Sequence, residues 1–482
     1  MANFNLEVNM TTEIDASADT VNETNVSTPP ILAKEYIVPF ILVASLFPLW
    51  GFANDITNPL VAAFKQIFQI TNTQSSMVQF AFYLGYGIMA IPAAIFIRKF
   101  SYKAGILLGL GLYAVGAMLF IPASLSAEFN FFLLALCTLT CGLALLETTA
   151  NPYVLSMGHE ETSTQRLNLA QAFNPIGSLT GMFIASTYIL NELQVEAFRA
   201  KAKAEVLVEN AKLLPSQINS LIDTKLSEAI VADPSWWASV QAADLATVRG
   251  PYVAIGCVVA LLFVGFLVAK LPRTISHDHP LTMKELGDTF GRLFKNRRYL
   301  EGVVAQAFYV GAQIMCWTFV IHYGVMSVGM TAAEAQDWNM VAMGLLLASR
   351  FICTFLLGFV RPGQLLMALA TGGILLSLGT IFIGGYTGFY CLIGISACMS
   401  LMFPTIYGIA LKGMGDDASL ASAGLVMAIV GGALMPPMQG SLIDGASLIG
   451  SIPSVQTSFV LPLICFIVIA IFGYRAHNIH KA

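Results

Sequence analysis

The stretch FNFFLLALCTLTCGLALLETTANPYVLSMG, residues 129–158, places one carboxylate, Glu147, inside a run that is otherwise apolar enough to cross a bilayer. A charge at bilayer depth is costly unless it faces a polar cavity or a partner. A second carboxylate, Asp55, lies in another such run, FILVASLFPLWGFANDITNPLV, residues 40–61. Intramembrane acids are typical of proteins that let a proton or a polar solute pass, so these two residues are the main indication of function.

The composition identifies a membrane protein. The chain of 482 residues is 56% hydrophobic and 11% charged, with a mean hydropathy of +0.73, whereas soluble domains carry about 25% charged residues. The net charge of −4 gives no basic surface for nucleic acid. All eight cysteines fall in apolar segments, so we expect no disulfides. We also expect no metal and no cofactor.

Twelve apolar segments approach the roughly 20 residues that a transmembrane helix needs. We number them spans 1 to 12. They begin near Tyr36, Ser75, Ala104, Phe131, Leu167, Pro251, Leu300, Trp338, Gly363, Gly385, Leu420 and Ser458. The predicted fold class is an all-α membrane protein with twelve transmembrane helices in two pseudo-symmetric halves of six.

The predicted domain boundaries follow from these spans and from the polar segments between them. Residues 1–34 are polar, lack a signal-peptide pattern and are predicted to be a disordered cytoplasmic tail. The first half covers residues 35–270 and the second half 299–475, with a charged cytoplasmic linker at 271–298 and a cytoplasmic tail at 476–482. Loop 191–249, between spans 5 and 6, has helix-forming composition and is predicted to be an external cap, with or without a role in gating.

The distribution of lysine and arginine predicts the orientation in the membrane. Loop 2–3 carries Arg98, Lys99 and Lys103. The basic residues of the linker include Lys284, Arg292, Lys295, Arg297 and Arg298. By contrast, loops 3–4, 7–8, 9–10 and 11–12 carry none. Both termini are therefore expected on the cytoplasmic side.

The two halves resemble each other in sequence. Residues 92–121 read PAAIFIRKFSYKAGILLGLGLYAVGAMLFI, and residues 353–383 read CTFLLGFVRPGQLLMALATGGILLSLGTIFI. Both segments place an arginine at the turn and then a glycine-rich helix. Two repeated halves of six spans are typical of transporters whose substrate site lies between the halves near the midplane.

Polar side chains recur inside the spans at spacings that keep them on one helix face. Asn54, Asp55 and Asn58 share a face of span 1, and Glu147 precedes Asn151 by four residues in span 4. Amides donate and accept hydrogen bonds and carboxylates accept them, so this set suits the hydroxyls of a sugar. The residues expected to bind substrate are Asn54, Asn58, Asn151, Gln171, Asn174, Tyr83, Gln313 and Trp317.

Structural roles compete with these assignments. Membrane amides often only hydrogen-bond a neighbouring helix, and most aromatic residues pack. Arg350 in span 8 is a cation at depth that could pair with Glu147, touch substrate or lock the interface between the halves. We assign it, with Arg98, to conformational contacts.

Glu147 and Asp55 are the predicted proton-coupling residues. The rise per residue of an α-helix places Asp55 roughly 28 Å and Glu147 roughly 14 Å from the cytoplasmic end of its own span. A buried carboxyl group loses hydration in its charged form, so it can take up a proton from one side and release it on the other. We hypothesise that protonation of Glu147 is coupled to sugar binding.

At these residues the chain resembles the L-fucose/proton symporter branch of the major facilitator superfamily. The matching stretches include LFPLWGFAN, SYKAG, LETTANPYV, RLNLAQAFNPIG, AQAFYVGAQIMCW and FPTIYGIALKGMG. The resemblance implies twelve spans and proton-coupled uptake of fucose or a related hexose across a bacterial inner membrane. It places the family's span-4 glutamate on Glu147 and its span-5 glutamine on Gln171. We expect a monomer in the lipid bilayer.

One departure from the family pattern affects the site. The family's span-1 aspartate falls on Asn58, and a family asparagine one turn earlier falls on Asp55. The two residue types are exchanged, which moves the carboxylate about one helical turn and suggests a changed sugar preference. Glucose, galactose, mannose and N-acetylglucosamine remain open as substrates.

Three other functions stay open. These are a facilitator without proton coupling or with sodium coupling, an exporter of sugars or drugs, and a sugar sensor that transports nothing. An enzyme is not expected, because the chain has no HExxH, GxSxG or P-loop pattern.

Overall fold

The structure is a computed structural model. It describes residues 34–158, 173–209, 215–272, 283–357, 359–412 and 417–478, together with positions 32, 166, 169–171, 213 and 414. All regular structure in these residues is helical, without a strand. Nearly all of the tail predicted over 1–34 lies outside the described residues, as do positions 273–282 of the predicted linker and 479–482 at the end.

The first half, here residues 34–272, contains spans 1 to 6. Its α-helices are Ile37–Ala44, Phe47–Thr57, Leu60–Phe68, Asn72–Ser75, Met77–Lys99, Tyr102–Met118, Phe120–Ser126, Phe129–Leu155, Asn174–Ile184, Gln194–Glu209, Pro215–Ala232 and Pro234–Val268. A π-helical turn, Ala185–Ile189, extends span 5.

Helix Met283–Lys295 precedes the second half, here residues 297–478, which contains spans 7 to 12. Its α-helices are Arg297–Tyr323, Ala332–Leu356, Pro362–Phe382, Gly385–Met399, Met402–Leu411, Ala418–Met427, Gly431–Asp444, Ser454–Thr457 and Val460–Asn478. A π-helical turn, Gly324–Val328, extends span 7.

Ten helical stretches within the described residues are long and apolar enough to cross a membrane. They coincide with ten of the twelve predicted spans. The other two predicted spans, 5 and 8, are represented by helices Asn174–Ile184 and Ala332–Leu356.

Several spans are broken near their middle. Span 1 is interrupted at Asn58 and Pro59, between helices Phe47–Thr57 and Leu60–Phe68. Proline lacks the N–H that would continue the helical hydrogen bonds. Non-helical backbone at membrane depth is tolerated where it is buried in protein or lines a polar cavity. The break directly after Asp55 therefore locates a polar region in span 1.

Two cap helices, Gln194–Glu209 and Pro215–Ala232, occupy the loop between spans 5 and 6. Arg199 and Asp223 join them through a 2.5 Å salt bridge. Asp244, in the helix of span 6, accepts hydrogen bonds from the backbone N–H groups of Gln194 at 2.7 Å and Val195 at 3.1 Å. These bonds satisfy free N–H groups at the start of the first cap helix and fix its position. We call this end of the bundle the cap end, and the opposite end the linker end.

Spans 1 and 5 pack closely because glycines face each other across their contact. A Cβ atom at Gly177 would lie 1.8 Å from the carbonyl oxygen of Pro48, and one at Gly51 would lie 2.2 Å from that of Asn174. Small residues allow this backbone approach in membrane helices. The contact places Asn174 and Ser178 against span 1.

We predict that Gly177→Ala destabilises the protein by about 1–3 kcal/mol, because the added methyl group forces the two backbones apart. The measurement is the thermal unfolding midpoint in detergent. Gly344→Ala is the matched control, since a Cβ there would meet nothing within 4 Å. An unfolding midpoint for Gly177→Ala equal to that of the control would contradict the close packing.

Candidate transport site

The Asp55 carboxylate is the centre of a hydrogen-bonded cluster in span 1. Its Oδ1 accepts hydrogen bonds from Asn58 Nδ2 at 3.2 Å and from Asn54 Nδ2 at 3.4 Å. The Ser178 hydroxyl of span 5 also hydrogen-bonds this carboxylate. Asp55 and Asn58 are each only 1% exposed. The structure thus brings together the three span-1 residues that share a helix face.

Span 2 extends this cluster. Gln79 Nε2 donates to Asn58 Oδ1 at 3.0 Å, and the Tyr83 hydroxyl donates to Asn54 Oδ1. Gln79 is fully buried, and its Oε1 has no hydrogen-bond partner among the described residues. Each amide of span 1 is therefore oriented by a side chain of span 2, and one acceptor in this cluster remains available.

Glu147 forms a second cluster in span 4. Its carboxylate is hydrogen-bonded to the Tyr86 hydroxyl of span 2. Asn151, one turn further along span 4, has a buried Oδ1 with no hydrogen-bond partner among the described residues. Tyr407 in span 10 lies near enough to Glu147 to be affected by its charge, and its hydroxyl is hydrogen-bonded to that of Ser422. Glu147 thus interacts with groups from both halves.

The two clusters meet on span 2. The rings of Tyr83 and Tyr86 are stacked with centroids 6.3 Å apart, and each tyrosine serves one cluster. Three residues correspond to about 4.5 Å of helical rise. The two clusters therefore contact neighbouring turns of span 2, Glu147 directly and Asp55 through Asn54.

Other predicted substrate ligands are placed differently. The indole Nε1 of Trp317 donates to Ser396 Oγ at 3.1 Å, and its backbone carbonyl accepts from Asn339 Nδ2 at 3.2 Å, so this ring is engaged within the second half. Asn174 Nδ2 donates to the Phe47 carbonyl at 3.4 Å, which links spans 5 and 1. Gln313 is half-buried and Gln171 is exposed.

The two arginines assigned to conformational contacts lie in different places. Arg350 Nε donates to the Ser400 carbonyl of span 10 at 3.1 Å, inside the second half. None of the salt bridges between described residues joins Arg350 to Glu147. Arg98 lies at the end of helix Met77–Lys99, and its side chain is not among those that the structure describes.

Sequence reasoning left Gln79 and Ser178 out of the site. Gln79, Tyr83 and Tyr86 follow one another at intervals of four and three residues, which is a polar face of span 2. That spacing was available in the sequence. Ser178 gave no such signal, because its contact with Asp55 depends on the close approach of spans 1 and 5.

Hydrogen bonds join the two halves at the cap end. Asp444 Oδ1 accepts from the backbone N–H of Asn72 at 3.0 Å and from its Nδ2 at 2.6 Å, while Oδ2 accepts from the N–H and hydroxyl of Thr73, both at 2.7 Å. A carboxylate here complements the positive N-terminus of the helix that starts span 2. Ser186 Oγ also donates to Asp337 Oδ1 at 2.5 Å.

The cap helices add two more of these bonds. Lys203 Nζ donates to the Gly329 carbonyl at 2.5 Å, and Asn219 Nδ2 donates to the Val325 carbonyl at 3.0 Å. The cap belongs to the first half by chain connection, whereas Val325 lies in the π-helical turn that ends span 7 and Gly329 directly follows that turn. In this structure the halves are therefore bonded together at the cap end.

The arrangement supplies two carboxylates, several amides and two tyrosine hydroxyls inside an apolar bundle. Such groups can exchange hydrogen bonds with a polyhydroxylated solute, and the carboxylates can bind protons. Within the described residues no group of three or more His, Cys, Asp or Glu side chains is arranged to hold a metal ion.

Comparisons with known proteins agree with this architecture. Residues 44–195 match the family model of the Major Facilitator Superfamily. The chain is 51% identical over 452 residues to the L-fucose-proton symporter of Haemophilus influenzae, covering 94% of this chain and 99% of that protein. It is 35% identical over 443 residues to the L-fucose-proton symporter of Escherichia coli, covering 92% and 93%.

A crystal structure of the transporter FucP in the outward conformation aligns with a TM-score of 0.67 and 34% identity, covering 92% of this chain and 99% of that chain. Both the sequence and the structural match extend over nearly the whole length of each protein. The chain belongs to the L-fucose-proton symporter family of the major facilitator superfamily.

Proposed function

We propose that this protein imports L-fucose or a related hexose across the bacterial inner membrane by proton symport, with alternating access. Membership of its family makes it a multi-pass membrane transporter rather than an enzyme. The observation that supports coupling most strongly is that Asp55 and Glu147 are both hydrogen-bonded inside one bundle, in clusters that meet at Tyr83 and Tyr86.

We assign the proton to Glu147, with Asp55 as the second proton-coupling residue. Glu147 is half-buried, whereas Asp55 is almost fully covered and has three hydrogen-bond donors around it. Glu147 is thus the carboxylate that solvent reaches more easily. A carboxyl that exchanges protons with solvent and lies near Tyr407 of the second half is in a position where its protonation can affect both halves.

The sugar is proposed to lie between the two clusters. Asn151 has an unsatisfied buried acceptor beside Glu147, and Asn54 is half-buried between Asp55 and Tyr83. Displacing an existing protein hydrogen bond costs more than filling an empty position, so we rank Asn151 above Asn174 and Trp317. Asn54 and Tyr83 are bonded to each other, and the Tyr83 hydroxyl can still accept a hydrogen bond from a sugar. The remaining proposed contacts are Asn58, Gln171 and Gln313.

The exchange of residue types in span 1 still leaves one amide and one carboxylate at positions 55 and 58. Asn58 donates to Asp55 at 3.2 Å, so the amide and the carboxylate form one unit whichever position carries the charge. The exchange shifts the acidic end of that unit along the helix. Curated relatives at 29% identity are named glucose/galactose transporter, so hexoses other than fucose belong in the substrate test.

The proposed topology places the cap end outside and the linker end, with both chain termini, in the cytoplasm. We propose that residues 35–270 and 299–475 rotate against each other as the two halves of a monomer, with Arg350 and Arg98 among the residues that stabilise one arrangement. Bonds at the cap end would then belong to a state that is closed to the outside.

The proposed function is tested by adding a panel of sugars to proteoliposomes in weak buffer while the external pH is recorded. Alkalinisation with L-fucose is expected, because each sugar enters with a proton. Alkalinisation with glucose or galactose instead would identify that hexose as the substrate and would still support proton symport. Labelled-sugar uptake without a pH change would contradict proton symport and would favour a facilitator or sodium coupling.

We predict that Glu147→Gln abolishes accumulation of sugar against a gradient, since glutamine keeps the hydrogen bond to Tyr86 but cannot bind a proton. Exchange of labelled for unlabelled sugar should continue. Asp55→Asn is expected to reduce accumulation in the same way. Glu128→Gln, an exposed position just before span 4, is the matched control and should accumulate sugar normally. Accumulation by Glu147→Gln would refute the proton assignment.

We predict that Asp444→Ala shifts the protein toward a state open at the cap end, because four hydrogen bonds between the halves are lost. Loss of one helix-capping group alone is worth about 1 kcal/mol, or roughly fivefold in an equilibrium constant. Distances between spin labels on Gln69→Cys and Ser447→Cys should gain a longer population. Asp288→Ala, at the linker end, is the control. An unchanged distance distribution in Asp444→Ala would contradict the closing role.

A further inference from the structure

A cavity of about 870 Å³ lies under the cap helices, apart from the Asp55 and Glu147 clusters. We call it the cap cavity. Its walls are the outer end of span 1, the two cap helices, and the end of span 7 with the turn that follows it. Cavities of this size commonly hold small molecules. Because both halves and the cap contribute, a ligand here would contact every part that must move when the cap end opens.

Two basic groups of the wall are not fully used by the protein. His322, only 5% exposed, has no hydrogen bond of good geometry at either ring nitrogen within the described residues, although the Thr318 carbonyl lies near the ring. Lys65 is half-buried and takes part in none of the salt bridges between described residues. Buried polar groups are normally hydrogen-bonded, so both favour a bound molecule with oxygen atoms.

The opposite wall carries groups of both charge signs. Arg199 and Asp223 are paired there at 2.5 Å, and Glu196 lies beside them. Burial raises the pKa of Glu196; Arg199 opposes that shift, while Asp244 and Asp223 add to it.

This mixture of charges favours a neutral ligand. An anion would be repelled by Asp223, and a cation by Lys65 and Lys203. A neutral polyol, whose hydroxyls donate to carboxylates and accept from lysine and histidine, is the class that all these groups accommodate.

We propose that the cap cavity is a second, outer binding site for a monosaccharide, where the sugar is held before the cap end opens toward the Asp55 and Glu147 clusters. The inference rests on the proposed function, because it takes the transported sugar as the ligand. Lys65 and His322 are its hydrogen-bond donors from spans 1 and 7. Asn219, which already bonds Val325, places the second cap helix so that it closes the site.

The test measures whether L-fucose protects the cap cavity from a thiol reagent that cannot cross membranes. Ser220→Cys places a thiol at an exposed position of the cavity wall, and Lys201→Cys places one on an exposed cap position that does not line it. We expect L-fucose to slow labelling of Ser220→Cys several-fold and to leave Lys201→Cys unchanged, with the unsubstituted chain giving the background from native cysteines.

The decisive variant is Lys65→Met, which keeps the aliphatic stem and removes the charge. It should raise the L-fucose concentration needed for protection about tenfold, as expected for one lost charge-assisted hydrogen bond. His322→Phe should act in the same direction. Proton-coupled uptake at saturating L-fucose should persist in both, and Lys201→Met should match the unsubstituted chain.

Two results would overturn the outer site. One is that L-fucose drives proton uptake but does not protect Ser220→Cys. The other is that Lys65→Met and His322→Phe both need the same L-fucose concentration for protection as the chain without these changes. Protection would then come from a conformational change caused by sugar binding at the Asp55 and Glu147 clusters. If L-fucose drives no proton uptake and gives no protection, the sugar that the panel identifies is used in the same assay. Absence of proton uptake with every sugar would instead contradict the proposed function.

Discussion

The arrangement of the first half depends on keeping two carboxylates inside an apolar bundle. A carboxylate removed from water must recover its hydrogen bonds from the protein or become protonated. Span 2 supplies such hydrogen bonds to both clusters, since Tyr86 bonds Glu147 while Gln79 and Tyr83 orient the amides that bond Asp55. The carboxylates are held by neutral groups, and no salt bridge among the described residues fixes either charge permanently. Such a carboxyl group can gain or lose a proton without leaving an opposite charge unpaired, as a coupling site requires.

The packing of the helices follows from the same requirement. Glycines at positions 51 and 177 bring the backbones of spans 1 and 5 together, which places Ser178 on Asp55. The break at Asn58 and Pro59 ends the helix where its polar side chains are needed. At the cap end, Asp444 and the cap helices bond one half to the other through contacts that can be exchanged for water when the halves separate. Under the proposed function, proton binding, sugar binding and movement would use different sets of groups that are connected through spans 1 and 2.

Much of this could be predicted from the sequence. Hydropathy located the spans, and helical spacing placed Asn54, Asp55 and Asn58 together, because both depend on local periodicity. Contacts between helices were harder to predict. The partnership of Glu147 with Tyr86 and the role of Ser178 depend on which helix faces meet, and the spacing of residues within one helix does not show that. Trp317 had the right residue type and depth, but Ser396 already accepts its indole hydrogen bond.

The most direct test of the central claim is the number of protons taken up when sugar binds. L-fucose is titrated calorimetrically into purified protein at mildly alkaline pH, in two buffers whose ionisation enthalpies differ. If binding favours the protonated carboxyl, the heats should differ between the buffers by an amount that corresponds to proton uptake, and Glu147→Gln should bind with equal heats in both. Equal heats in the unsubstituted protein, with sugar clearly bound, would contradict coupling between the sugar and a proton at Glu147.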